Sequence, residues 1–164
     1  MAKRQVFFSF HFDNDSWRAG QVKNMGKVSD SSTFSANDWE EVKEKSDEKI
    51  KQWIDEQMQM RSCLVVLIGK NTANRKWVKY EIEKAYELNK GIVGVYINKL
   101  KNVLGEQDSE GDNPFDFKIA GVKLSDYVKC FKSGYSMSQN VYSDIEDNLQ
   151  ELIEYGIDNK PSTW

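Results

Sequence analysis

Two kinds of hydrophobic pattern alternate along the chain: unbroken apolar runs, and stretches where apolar residues recur every three or four positions. An unbroken run suits a strand buried on both faces, and the periodic pattern suits a helix with one apolar stripe. Three runs predict buried strands: Gln5 to Phe10 (QVFFSF), Cys63 to Ile68 (CLVVLI) and Ile92 to Ile97 (IVGVYI). Between the first two, Val42, Ser46, Ile50, Trp53, Ile54 and Met58 form a helical stripe, with Asn37 and Glu40 as a capping box at its start. Val78, Ile82, Ala85 and Tyr86 form the next, which Gly91 ends. A last helix, from about Val141 to Tyr155, carries Ile145, Leu149, Leu152 and Ile153. Ser143 and Glu146 form its capping box, and Gly156 stops it.

The remaining elements are shorter. A helix bearing Trp17 and Val22 is capped by Asn14, Asp15 or Ser16. A serine-rich strand covers Lys27 to Phe34, and Tyr127 to Phe131 (YVKCF) forms another. Asn98 to Asp126 carries Gly, Asn, Asp and Pro114 with little periodicity, and so long a connection in a compact domain is functional or mobile. The terminal DNKPSTW reads as a frayed end, so residues 1–158 form one domain and 159–164 its tail.

Buried strands alternating with amphipathic helices predict an α/β fold, a mainly parallel sheet covered on both sides. About five strands point to the doubly wound, flavodoxin-like order, where ligands lie beyond the carboxyl ends of strands one and three. His11 to Asp15 follow the first of these strands and Asn71 to Glu81 the other, so both segments are expected to face one crevice.

Charge narrows the chemistry. The net charge is −3 with both signs mixed, and nucleic-acid binding calls for a basic face instead. The two cysteines, Cys63 and Cys130, lack metal-ligand spacing, and His11 is the one histidine, so no metal site is expected. No secretory signal and no apolar run of about 18 residues stands out, which predicts a cytoplasmic protein with no membrane contact.

Within the predicted crevice, Glu81 precedes the core residue Ile82 and sits at the edge of the buried helix face, one turn after Trp77. It is either the reacting group or an ordinary charge complementing the helix dipole. Trp77 reads as a packing anchor. Phe10, His11 and Phe12 either stack on a base or belong to the core, with His11 satisfying a carbonyl. Arg18 and Arg75 either meet a diphosphate or lie in solvent. Asp13 and Asp15 suggest a receiver-type metal pocket, but that needs an aspartate where Ile68, Gly69 and Lys70 stand. Phosphate-cradling glycine motifs are absent, as is a serine–histidine–acid set. Cys130 lacks the arginine of a phosphatase loop.

VFFSFHF and CLVVLIGKNTANRKWVKYEIEKA together resemble the TIR (Toll/interleukin-1 receptor) domain pattern, in which a tryptophan precedes a glutamate by four. KRQVFFSFHF, RKWVKYEI and the NPFD of Asn113 to Asp116 more narrowly resemble the TIR-like proteins of bacterial Thoeris anti-phage systems. That resemblance covers nearly the whole chain and implies an enzyme that consumes NAD as substrate, with no cofactor. It implies Glu81 as the catalytic residue and Ser9, Phe10, His11, Arg18 and Trp77 as substrate-binding residues. The product implied is a cyclic ADP-ribose isomer, a diffusible signal that activates an NAD-consuming effector protein. A phage-derived trigger and self-assembly are further implied partners. Two other readings stay open: a non-catalytic TIR-like interaction module, and an enzyme like the nucleoside deoxyribosyltransferases.

Overall fold

The computed structural model describes residues 2–34 and 45–164. Its elements run β1 (Val6–Ser9), α1 (Phe12–Lys23), β2 (Thr33–Phe34), α2 (Asp47–Gln59), β3 (Cys63–Ile68), α3 (Lys76–Glu87) and β4 (Gly91–Tyr96). A small hairpin of β5 (Lys118–Ile119) and β6 (Val122–Lys123) follows, then β7 (Lys129–Phe131) and α4 (Ser138–Asp158). Five strands form one sheet in the order β2-β1-β3-β4-β7, every neighbouring pair parallel. The order reverses between β1 and β3, whose carboxyl ends part there. The expected doubly wound sheet is present.

Strand alternation divides the core into two layers. Val6, Phe8 and Phe10 join Val65, Leu67, Val95 and the apolar faces of α1 and α4. Phe7 points the other way, to Leu64, Val66 and Ile68 and to the stripes of α2 and α3. Full burial of such a side chain contributes about 1.5–3 kcal/mol, so both faces of β1 need the large apolar residues they have. The stripe Ile50, Ile54 and Met58 is buried as the periodicity predicts. Ser46, expected within that stripe, is instead the N-cap of α2 and accepts from the Lys49 amide. The expected capping box at Asn37 and Glu40, and Val42, lie outside the described residues.

Several helix ends differ from expectation, each for a physical reason. α1 begins at Phe12, so Asn14, Asp15 and Ser16 lie inside it rather than cap it. The turn after α3 falls to Asn89 (φ 55°), not Gly91, with Lys90 N–H reaching Ala85 O at 2.9 Å. α4 starts at Ser138, and Ser143 within it donates to Gln139 O. Gly156 does not stop α4. It is buried where α4 lies closest to β4, and a Cβ there would stand 2.7 Å from Val93 Cγ1. Only Thr33–Phe34 of the expected Lys27 to Phe34 strand joins the sheet, with an isolated bridge from Val28 to Arg4. The tail is not frayed: Trp164 stacks on Tyr127 (5.4 Å, 7°) and donates from Nε1 to Asn159 O at 2.8 Å.

Two of the contacts that hold the long connection after β4 bear on the site. Asn113 Oδ1 accepts from the Phe115 amide at 2.8 Å, and the fully buried Phe115 ring fills the space over Gly94. A Cβ on Gly94 would sit 3.0 Å from that ring and 2.8 Å from Cys130 Sγ. The second anchor is Arg18, which belongs to the site.

Candidate active site

Strand alternation decides what faces α3. Ser9 follows Phe8 on β1 and therefore points with Phe7 into the α2–α3 layer, where Glu81 lies on the inner side of α3. The Ser9 hydroxyl donates to Glu81 Oε1 at 2.6 Å, and both residues are fully buried. Ser9 also pairs in register with Val66 of β3, so the bond sits at the parting of β1 and β3. Glu81 is therefore not a solvated helix charge. Nor does it open onto a cleft, as the crevice expectation had it.

His11 is the N-cap of α1 and Arg75 the N-cap of α3. Neither side chain caps its own helix, and both helix starts lie toward the same end of the sheet. The two residues sense each other: burial pushes the His11 imidazole below its ordinary value, Arg75 lowers it further, and Asp13 opposes. His11 Nδ1 is buried with no hydrogen-bond partner among the described residues. An imidazole with a lowered folded value binds fewer protons than the unfolded chain, so this contribution to stability is lost as pH falls from about 6.5. NMR titration of the one histidine is expected to give a midpoint below that value, and a midpoint above it would refute this environment.

The other residues implied by the resemblance are placed differently. Phe10 points to the opposite sheet face, fully buried against Phe34 (ring centroids 5.2 Å) and Phe12 (6.5 Å). Its ring is core rather than an open stacking surface. Trp77 is half-buried at the rim of α3, edge-on to Tyr80 at 5.9 Å with Lys76 Nζ 4.8 Å from its ring. Arg18 is fully buried. Its Nε donates to Leu100 O (2.7 Å), Nη2 to Glu106 O (2.9 Å), and Nη1 to Asp15 and Asp108 (2.9 Å each). The guanidinium thus ties α1 to the connection after β4 and has no face turned to a ligand.

The sequence offers Asp15 as a helix cap or, with Asp13, as a receiver-type pocket that lacks its third aspartate, and nothing in it marks Asp15 or Asp108 as a partner of Arg18. Burial pushes the Asp15 carboxyl above its ordinary range, against the opposing pull of Arg18. One oxygen receives Arg18 and Asn14, while the other is buried against Gly69 without a partner among the described residues. A Cβ at Gly69 would overlap that carboxylate, and one at Gly111 would overlap the Gly69 carbonyl. These two glycines, at the end of β3 and within the long connection, were the legible signal of a close backbone approach.

No cavity among the described ones is lined by Ser9 or Glu81. A small one of about 60 Å³ lies on the adjoining part of α3, between Val78, Ile82, Asn113 and Phe117. A wider groove of about 320 Å³ runs between α1 and α4, lined by Trp17, Gly20 and Tyr142. Among the described residues, no cluster of three or more His, Cys, Asp or Glu side chains suits a metal ion. No helix there is long and apolar enough to cross a membrane.

The family model for the TIR-like domain of the Thoeris protein ThsB matches residues 7–102, more than half the chain and the span that holds Ser9, His11 and Glu81. The chain belongs to this family. A relative in Bacillus cereus (strain MSX-D12), named "Putative cyclic ADP-D-ribose synthase ThsB1", is 43% identical over 122 residues. That match covers 71% of this chain and 63% of the relative, so the chain spans under two thirds of the relative's length. In ThsB-family terms the match takes in β1 through β4, and with them both strands at the switch point.

Proposed function

We propose that this ThsB-family protein cleaves the bond between nicotinamide and ribose in NAD, with Glu81 as the catalytic group, and closes the remainder into a cyclic ADP-ribose isomer. The observation that carries this reading is a fully buried carboxylate at the switch point, held at 2.6 Å by the Ser9 hydroxyl. Burying a carboxylate costs several kcal/mol, and a non-catalytic interaction module would gain nothing from that cost.

The chemistry needs little more. When the C1′–N bond breaks, its electron pair leaves with nicotinamide, which departs neutral and needs no proton. Glycosidases pair two carboxylates because their leaving groups do need one. Here one carboxylate suffices, stabilising the positive charge that develops on the ribose. A hydroxyl of the same molecule then attacks C1′ and releases its proton, giving nicotinamide, the cyclic isomer and H⁺. The burial of Glu81 supports cyclisation over hydrolysis, because water admitted at that point would capture the cation instead. The starts of α1 and α3, at one end of the sheet, present the positive ends of their helix dipoles and suit the diphosphate.

Dinucleotide sites are typically a few hundred Å³ or more, and Glu81 is closed off in this conformation, so admission of NAD requires the site to open. Assembly of several copies and a phage-derived trigger are the events that would open it. The signal then diffuses through the cytoplasm to an NAD-consuming effector protein. NAD incubated with the protein and extract of phage-infected cells is expected to yield nicotinamide and a product of ADP-ribose mass less one water. Base exchange without loss of NAD would favour the deoxyribosyltransferase-like reading, and unchanged NAD the interaction module.

A further inference from the structure

We propose that Ser9 is a positioning residue for the reaction, setting the Glu81 carboxylate through the buried hydrogen bond at the end of β1; this rests on the NAD-cleaving reading. The first argument is its place. Val6, Phe7, Phe8 and Phe10 around it are apolar and fully buried, so a hydroxyl there has no solvent to meet. A buried hydroxyl without a partner is costly, whereas alanine or valine would fill the same strand position without that demand. Its hydroxyl is directed instead at a carboxylate 72 positions away on α3.

Rigidity is the second argument. Ser9 is locked in the parallel ladder opposite Val66, so its oxygen has a fixed origin. Glu81 carries three side-chain torsions between its backbone and its carboxylate, and a bond of 2.6 Å from a strand-fixed hydroxyl restricts where Oε1 can lie. Charge stabilisation at a developing cation depends on such preorganisation, since reorientation during the reaction forfeits it. Glu81 would touch the substrate; Ser9 acts through Glu81.

Nicotinamide release over a range of NAD concentrations, with extract of phage-infected cells present, tests this in the purified wild type, Ser9→Ala and Ser9→Cys. Misplacement of a reacting group by about 1 Å costs on the order of a hundredfold. Ser9→Ala is therefore expected to lower kcat by about tenfold to a hundredfold with KM within about twofold, and to lower the melting temperature by several degrees while the protein stays folded at the assay temperature, because a buried acceptor loses its donor. Ser9→Cys fills the volume but donates weakly, and it is expected to match Ser9→Ala. Recovery in Ser9→Cys would assign Ser9 to packing and overturn the inference. A raised KM at unchanged kcat would make Ser9 a ligand contact, and unchanged or increased turnover would remove its role; each refutes the proposal. A wild type that leaves NAD intact while folded would sink the NAD-cleaving reading itself, and this inference with it.

Discussion

Glu81→Gln is expected to abolish nicotinamide release while the protein stays folded. The substitution keeps the size of the side chain and leaves a carbonyl oxygen to accept from Ser9, so the α3–β1 contact persists. What disappears is the negative charge at the developing cation. Removing one charge-stabilising group of this kind costs at least about a hundredfold in rate. Nicotinamide measured with NAD in excess, beside a melting curve of each protein, separates chemistry from folding. Turnover at the wild-type rate in a folded Glu81→Gln protein would take Glu81 out of the mechanism.

Arg18→Met is expected to produce the largest loss of stability of any single change considered for this chain. Methionine keeps most of the buried stem but strands the Asp15 carboxylate and frees the Leu100 and Glu106 carbonyls. Breaking a buried ion pair from one side costs about 3–5 kcal/mol, a large part of the roughly 5–15 kcal/mol that holds a typical domain. Asp15→Asn in the same background should return much of it, because the stranded charge is then gone. The pH dependence has a definite sign. A carboxyl raised above its unfolded value of 3.8 keeps a proton longer in the folded state. Stability associated with Asp15 is therefore full below that value and declines as pH rises through the folded one. The Arg18→Met penalty should shrink in acid. Urea unfolding at several pH values measures this, and a loss under about 1 kcal/mol would mean that the cluster behaves like an exposed pair.

The split roles of Ser9 and Phe10 illustrate why a site is harder to read than a fold. Neighbours in the sequence, they fall together in the pocket that the family resemblance implies, yet period-two alternation sends their side chains to opposite layers. The alternation was available from the strand assignment. What was missing was which face α3 covers, and that follows from the handedness of the crossovers. Arg18 was a candidate for a diphosphate because it lies near a helix start in a polar segment. Its partners, Asp108 and the carbonyls of Leu100 and Glu106, lie 82 to 90 positions away in a stretch without periodicity, and no local signal joins them. Gly156 shows the same limit from another side: a glycine near a helix end reads as a terminator until the strand packed on it is known.

Hydrophobic periodicity by itself determined the three central strands, the helices between them and the parallel order of the sheet, because burial on two faces or on one stripe imposes a period that short segments reveal. It also placed Glu81 at the edge of a buried helix face. Whether that carboxylate is solvated, open to a cleft or sealed was decided only by tertiary structure. The same holds for the Ser9 contact, the Arg18 anchor and the docked Trp164. Each depends on a distance between segments far apart in the chain, and distances of that kind are set by how whole layers pack.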